Sequence, residues 1–115
     1  MPKTPRNLNS ATAPTAVRQA VVRLGANIAS ARISRRWRQA DLAAKAGVTR
    51  GVILRVEAGH LGVGIGAYVA ALWALGLHHE VANLAGPERD LEGQTLAAAR
   101  RGERVRLSKG LDDRF

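Results

Sequence analysis

Apolar residues recur at steps of three and four from Ala16 onward, which is the spacing of one face of an α-helix. This stripe is about four turns long, and its members are Val17, Val21, Leu24, Ile28 and Ala31. A second apolar set predicts a short helix over 39–46, with Leu42, Ala43 and Ala46 facing inward. We expect Gly47 to end this helix, because glycine readily adopts the left-handed conformation that follows many helix C-termini.

A third helix is predicted to begin after Thr49, a good N-cap residue, and to run to about Ala58. Its inward residues are Ile53 and Val56, which lie three positions apart and therefore share a face. The stretch 60–66 contains three glycines and is expected to be a loop.

Beyond this loop, the apolar pattern predicts a fourth helix over 67–75 and a short fifth helix over 79–85. Two large apolar side chains fall at the end of this part, Trp73 and Leu77. We expect both in the core, and a place in an interface between molecules is the alternative.

The pattern divides the chain into three parts. Residues 1–15 contain prolines and no hydrophobic period, which predicts a disordered basic arm; it could track DNA or be an idle tail. Residues 16–87 form the predicted helical domain, and 88–115 a C-terminal extension, partly disordered. Within that extension, 91–100 is weakly helical, and the alternation over 104–108 indicates a possible edge strand that could pair across a dimer. The predicted fold class is all-α.

Charge is distributed unevenly along the chain. Lysine and arginine number 18 against nine acidic residues, a formal net charge of +9. Residues 1–55 hold eleven of the basic residues and a single acid, whereas residues 56–115 are close to neutral. A strongly basic half favours nucleic acid or another polyanion as partner.

Several classes of function are disfavoured by what the sequence lacks. It has no cysteine, which excludes disulfides, thiolate zinc sites and cysteine nucleophiles. No secretory signal and no apolar run long enough for a membrane span are visible, so we expect a cytoplasmic protein without membrane contact. We expect no enzymatic activity, cofactor or metal, because no catalytic grouping stands out. Glu57 and His60 have a spacing that could suit a metal, but no further ligand accompanies them.

Two predicted helices joined by a glycine-containing turn, with the second capped by threonine, have the layout of a helix-turn-helix. The run from Gln39 to Arg50, followed by Ile53, Glu57 and Gly59, closely resembles the lambda-repressor-like (Xre/Cro) helix-turn-helix family. The resemblance covers about residues 24–77. It implies a five-helix lambda-repressor-like domain that binds a double-stranded DNA operator as a sequence-specific transcriptional repressor.

The resemblance also implies roles for individual residues. The positions that would face DNA bases are Arg50, Gly51, Val52 and Arg55. The positions that would contact phosphates are Gln39, Arg35, Arg36, Arg38 and Thr49. Arg32 and Glu57 match a structural ion pair between the first and third helices.

The sequence departs from the family pattern on the recognition helix. The family commonly has serine or threonine where this chain has Gly51, Val52 and Leu54, and a threonine N-cap where it has Arg38. Gly51 and Val52 offer no hydrogen bonds to bases, so direct reading of the bases rests on few residues. Val52 is a candidate for contact with a thymine methyl group.

A second, narrower resemblance follows the helix-turn-helix. The glycine and leucine pattern over 62–90, with the basic tail after it, resembles HipB-like antitoxins, which are small Xre repressors paired with a HipA-type kinase toxin. It implies a homodimer that represses its own operon and binds the kinase. The alternatives are a stand-alone or phage-type Xre regulator without a toxin partner, and a protein–protein adaptor that uses the same fold without DNA.

Overall fold

The computed structural model describes residues 8, 9 and 11–112, with side chains as far as Leu107. These residues form helices and turns, and none of them forms a strand. The α-helices are α1 (Thr15–Ser34), α2 (Gln39–Ala46), α3 (Arg50–Glu57), α4 (Ile65–Ala74) and α5 (Leu91–Asp112). Two short 3-10 segments, His78–Asn83 and Pro87–Arg89, lie between α4 and α5. The predicted all-α class is therefore confirmed.

The helices of the first half begin and end close to where the sequence predicts. Helix α2 has the predicted bounds, and α1 begins one residue earlier than expected. Most of the predicted disordered arm, residues 1–7 and Ser10, lies outside the described residues. Within its described part, the Asn9 side chain accepts hydrogen bonds from the backbone N–H groups of Ala11 and Thr12, at 2.8 and 3.1 Å, and so forms a turn ahead of α1.

The chain divides into two compact units between Val81 and Ala82. The first unit contains α1 to α4 and holds the buried core. Its fully buried large side chains are Ile28, Leu42, Ile53 and Val56, one from α1, one from α2 and two from α3. The buried cluster is completed by Ala43 from α2 and by Tyr68, Ala71 and Leu75 from α4 and its C-cap.

Helix α1 and the end of α3 touch through their backbones. A Cβ atom at Gly25 would overlap the carbonyl oxygens of Val56 and Glu57. From the other side, a Cβ at Gly59 would overlap the backbone of Val22. Gly59 also has a φ of 73°, a conformation that other residues rarely adopt. Glycine is thus required on both sides of this contact.

The turn between α2 and α3 follows the predicted scheme. Gly47 is left-handed, with φ 75°, and ends α2. The Thr49 hydroxyl accepts a hydrogen bond from the backbone N–H of Val52 at 3.2 Å, which caps the start of α3. Ala43 is buried in the core cluster, in keeping with the need for a small residue where the two helices cross.

Two large apolar side chains, one near the end of α4 and one just after it, are more exposed than the sequence predicts. Trp73 is 58% exposed and Leu77 is 45% exposed, so the prediction that both are core residues is wrong. Trp73 is exposed because of the direction of the helix face: Tyr68, Ala71 and Leu75 occupy the buried side, and Trp73 lies about 180° around the axis from the mean of Ala71 and Leu75. Leu77 lies beyond the end of α4.

The second unit consists of the segment before α5 and α5 itself. The Asp90 carboxylate accepts from the backbone N–H of Gly93 at 3.0 Å, which caps α5. Residues 104–108 lie inside this helix, so the possible edge strand is wrong. Five alternating residues are a weak signal, and no proline interrupts a run of mostly helix-forming residues from Leu91 onward. None of the helices in the described ranges is long and apolar enough to cross a membrane.

Candidate nucleic-acid interface

Helix α3 has one buried side and one exposed side. Ile53 and Val56 are fully buried, and Val52 packs against the core from a half-buried position. Arg50 and Arg55 are exposed. Two arginines therefore face water from a short helix whose inner side is fixed.

Glu57 is a nearly buried carboxylate that binds side chains from two other helices. Its Oε2 atom accepts from Nε of Arg32 at 2.6 Å, and its Oε1 accepts from Nη2 of the same guanidinium at 3.0 Å. The side chains are only 13% and 7% exposed for Arg32 and Glu57. Nη1 of Arg32 also donates to the Trp37 carbonyl oxygen at 2.8 Å. A two-pronged ion pair thus joins α1 to the end of α3.

Gln39, the first residue of α2, completes this network. Its Nε2 atom donates to Oε1 of Glu57 at 3.1 Å. Glu57 therefore binds donors from α1 and α2 together, and the first turn of α2 is tied to the last residue of α3. The half-buried Gln39 is held in one orientation before any ligand arrives.

Arg35 is engaged within the protein. Its guanidinium donates to the carbonyl oxygens of Ala31 and Leu75, at 2.8 and 3.0 Å. Since Leu75 follows α4, Arg35 joins the end of α1 to the end of α4. The structure thus places this candidate phosphate contact in a backbone-bridging role.

Arg38 and Asp41 form an exposed pair at the start of α2. The Asp41 carboxylate accepts from the Arg38 backbone N–H at 2.8 Å, and its Oδ1 accepts from Nη2 of Arg38 at 3.2 Å. These hydrogen bonds from Arg38 lower the pKa of the Asp41 side chain below its usual value. The Asp41 carboxylate therefore satisfies the backbone N–H of Arg38, the N-cap residue of α2.

The remaining basic side chains of this region differ in their surroundings. Arg36 is exposed and has a positive φ of 58°, which ends α1. Lys45 places its Nζ atom 4.7 Å from the centre of the Trp37 ring, within cation–π range. Thr49 is exposed, and its hydroxyl already accepts the capping hydrogen bond.

Tyr68 and Gly25 were not singled out from the sequence. The Tyr68 hydroxyl donates to the His60 carbonyl oxygen at 2.8 Å and so anchors the loop after α3 to α4. Burial raises the pKa of this tyrosine. The signal for Tyr68 was available, since it is the only tyrosine of an aromatic-poor chain. A lone glycine inside an apolar helical stripe was the corresponding signal for Gly25.

Glu57 and His60 do not form a shared ligand pair. Glu57 is engaged by Arg32 and Gln39, and Nδ1 of His60 accepts from the backbone N–H of Gly62 at 3.0 Å. Within the described ranges, no three residues of metal-binding type cluster together.

Comparison with known proteins was negative: no protein-family profile matches the sequence, and no curated protein matches it significantly.

Proposed function

We propose that this protein binds double-stranded DNA through α3, as a sequence-specific repressor with the lambda-repressor-like (Xre/Cro) helix-turn-helix fold. One observation carries the proposal: α3 is buried on its inner side, is held at its last residue by the Glu57 network, and exposes Arg50 and Arg55 on its outer side. The major groove of B-DNA admits one α-helix, and arginine is well suited to guanine and phosphate.

Charge supports DNA over an uncharged partner. The first 55 residues contain one acid, Asp41, against eleven basic residues. Asp41 is paired with Arg38. The one carboxylate of α3, Glu57, is nearly buried and paired with Arg32, so it does not lie beside the exposed Arg50 and Arg55. A duplex would meet a surface of one sign.

The proposed contacts divide into two groups. Arg50 and Arg55 contact bases or the walls of the groove, and Gln39, Arg36, Arg38 and Thr49 contact phosphates. Gln39 is favoured for this role because the N-terminus of α2 attracts anions and Glu57 holds the side chain in place. The protein acts as a homodimer in the cytoplasm, and a symmetric operator would have half-sites about 10 base pairs apart or a multiple of that.

Selection of bound duplexes from a random-sequence library tests this proposal. We expect one enriched motif and an affinity that falls steeply with salt concentration, because several phosphate contacts release counterions. Arg50→Ala should relax the base preference, whereas Gln39→Ala should weaken binding about equally on selected and random duplexes. No enriched motif together with little salt dependence would overturn DNA binding and favour the adaptor alternative.

A narrower proposal is that the repressor is the antitoxin of a HipA-type kinase. It is based on the glycine and leucine pattern over 62–90. If a kinase of this type is encoded beside the protein, the two should co-purify and bind the operator together. If no such kinase is encoded there, the stand-alone regulator is the function.

A further inference from the structure

The outward side of α3 has a defined order of side chains. Successive residues of an α-helix are about 100° apart around the axis. On this scale, Gly51, Leu54 and Ala58 fall within an arc of about 60°. Arg50 and Arg55 lie on the two sides of that arc, about 140° from one another. All five of these positions are exposed.

The centre of this arc offers no hydrogen-bonding side chain. Gly51 has no side chain, and a Cβ built there would meet nothing closer than the Thr49 hydroxyl, at 3.9 Å. Leu54 is 46% exposed and is the only large side chain between the two arginines. Val52 is half-buried and packs against the core. Leu54, rather than Val52, is therefore the aliphatic side chain that faces outward.

We infer that Leu54 reads the C5-methyl group of a thymine in the operator, an inference that rests on the proposed DNA binding. In the major groove, thymine is the base that presents a methyl group, and an apolar side chain recognises it by contact. A G·C pair at the same step would press polar base edges against leucine without a partner, which is unfavourable. Leu54 thus selects A·T pairs beneath the centre of α3.

The two flanking arginines decide between DNA and a protein as the occupant of this face. A single exposed leucine is common on protein surfaces and by itself indicates nothing. Here it lies between Arg50 and Arg55, in the half of the chain that carries a charge of +10. An apolar centre with a cation on either side matches a groove that has phosphate walls and a methyl-bearing floor.

Replacing thymine by uracil tests the inference, because it removes the methyl group and leaves the hydrogen-bonding edge unchanged. The probe is the duplex selected from the random library, synthesised with deoxyuridine at one thymine at a time. At one or two positions of each half-site, the wild-type protein should bind about three- to fourfold more weakly to uracil than to thymine, as expected for one buried methyl group. Leu54→Ala should bind the two duplexes equally.

Two variants accompany this measurement. Leu54→Met keeps an apolar side chain and should retain most of the preference for thymine. Leu77→Ala removes the same residue type at 45% exposure, outside α3, and should leave the thymine-to-uracil ratio unchanged. Thermal unfolding of each variant checks that the fold is kept, which we expect because Leu54 is exposed and alanine favours helix.

The outcomes separate this inference from the proposed function. If the library yields no motif and binding depends little on salt concentration, both are overturned; no motif with steep salt dependence overturns sequence-specific reading, and the role of Leu54 with it, but not DNA binding. A motif without thymine, or a wild-type protein indifferent to uracil at every position, overturns the role of Leu54 alone. A Leu54→Ala variant that binds more weakly but keeps the wild-type ratio also overturns it, because Leu54 would then act on the backbone or on another protein.

Discussion

Glu57 and Asp41 are both paired with an arginine, but one carboxylate is nearly buried and the other lies at the surface. The Glu57 side chain is 7% exposed and its partner Arg32 13%, whereas Asp41 is 35% exposed and Arg38 82%. Glu57 accepts three N–H donors from two helices. Asp41 accepts only from a residue three positions before it.

The difference shows that surroundings, more than the presence of an ion pair, decide its contribution. Water and salt screen an exposed pair, and such pairs contribute little. Removing one partner of a buried pair leaves a charge that water cannot reach, at a much larger cost. The Glu57 network is therefore expected to hold α3 in place, and the Arg38–Asp41 pair to adjust only the start of α2.

The largest effect is expected from Glu57→Gln, which keeps the side-chain size and removes the charge. Arg32 would then be buried without a counter-charge, and the free energy of unfolding should fall by about 3 kcal/mol or more. Urea denaturation measures this value. The matched control is Asp41→Asn, which makes the same change in the exposed pair. Equal losses of unfolding free energy in the two variants would show that the Arg32–Glu57 and Arg38–Asp41 pairs contribute alike.

Arg32→Lys should cause the next largest loss of unfolding free energy. Lysine keeps the charge but cannot supply two parallel hydrogen bonds to Glu57 and a third to the Trp37 carbonyl oxygen. We expect a loss of about 2 kcal/mol in unfolding free energy, from the charge-assisted hydrogen bonds that disappear. A lysine variant as stable as the wild type would show that charge alone, without geometry, holds α1 to α3.

Gln39→Ala should have a smaller effect, because Glu57 keeps both of its contacts with Arg32. Loss of one hydrogen bond to a partly buried carboxylate should lower the unfolding free energy by about 1 kcal/mol. Urea denaturation again provides the measurement. Unchanged stability would mean that Glu57 does not hold Gln39 in solution.

The smallest effect is expected from Asp41→Asn, and it should depend on pH. Hydrogen bonds from Arg38 lower the pKa of Asp41 below the usual 3.8, so the stabilisation is present above that value and is lost as pH falls through the lowered pKa. The wild type should therefore be slightly more stable than the variant at neutral pH, and the difference should vanish in strong acid. Thermal unfolding between about pH 2 and pH 7 checks this. Opposite behaviour, a gap that widens in acid, would contradict the pairing.

Most local features of the first unit could be predicted because each has a short-range cause. The bounds of α2 follow from its apolar spacing and from Gly47, and the start of α3 from the Thr49 hydroxyl. The Arg32–Glu57 pair was also predicted, although through resemblance to a family and not from spacing.

The features that escaped prediction depend on contacts between distant residues. The close approach at Gly25, the hold of Glu57 on Gln39 and the exposure of Trp73 each depend on how helices pack. A local pattern also misled at 104–108, where a brief alternation was outweighed by the helical preference of the surrounding residues.

The contact at Gly25 has a consequence for how this protein tolerates mutation. Every substitution of this glycine adds a Cβ atom, and that atom overlaps backbone carbonyl oxygens of α3. Backbone atoms, unlike the end of a flexible side chain, cannot rotate aside. Gly47 is different, since its left-handed turn has open space around it and asparagine can adopt that conformation. A library of variants should therefore retain asparagine at position 47 and only glycine at position 25.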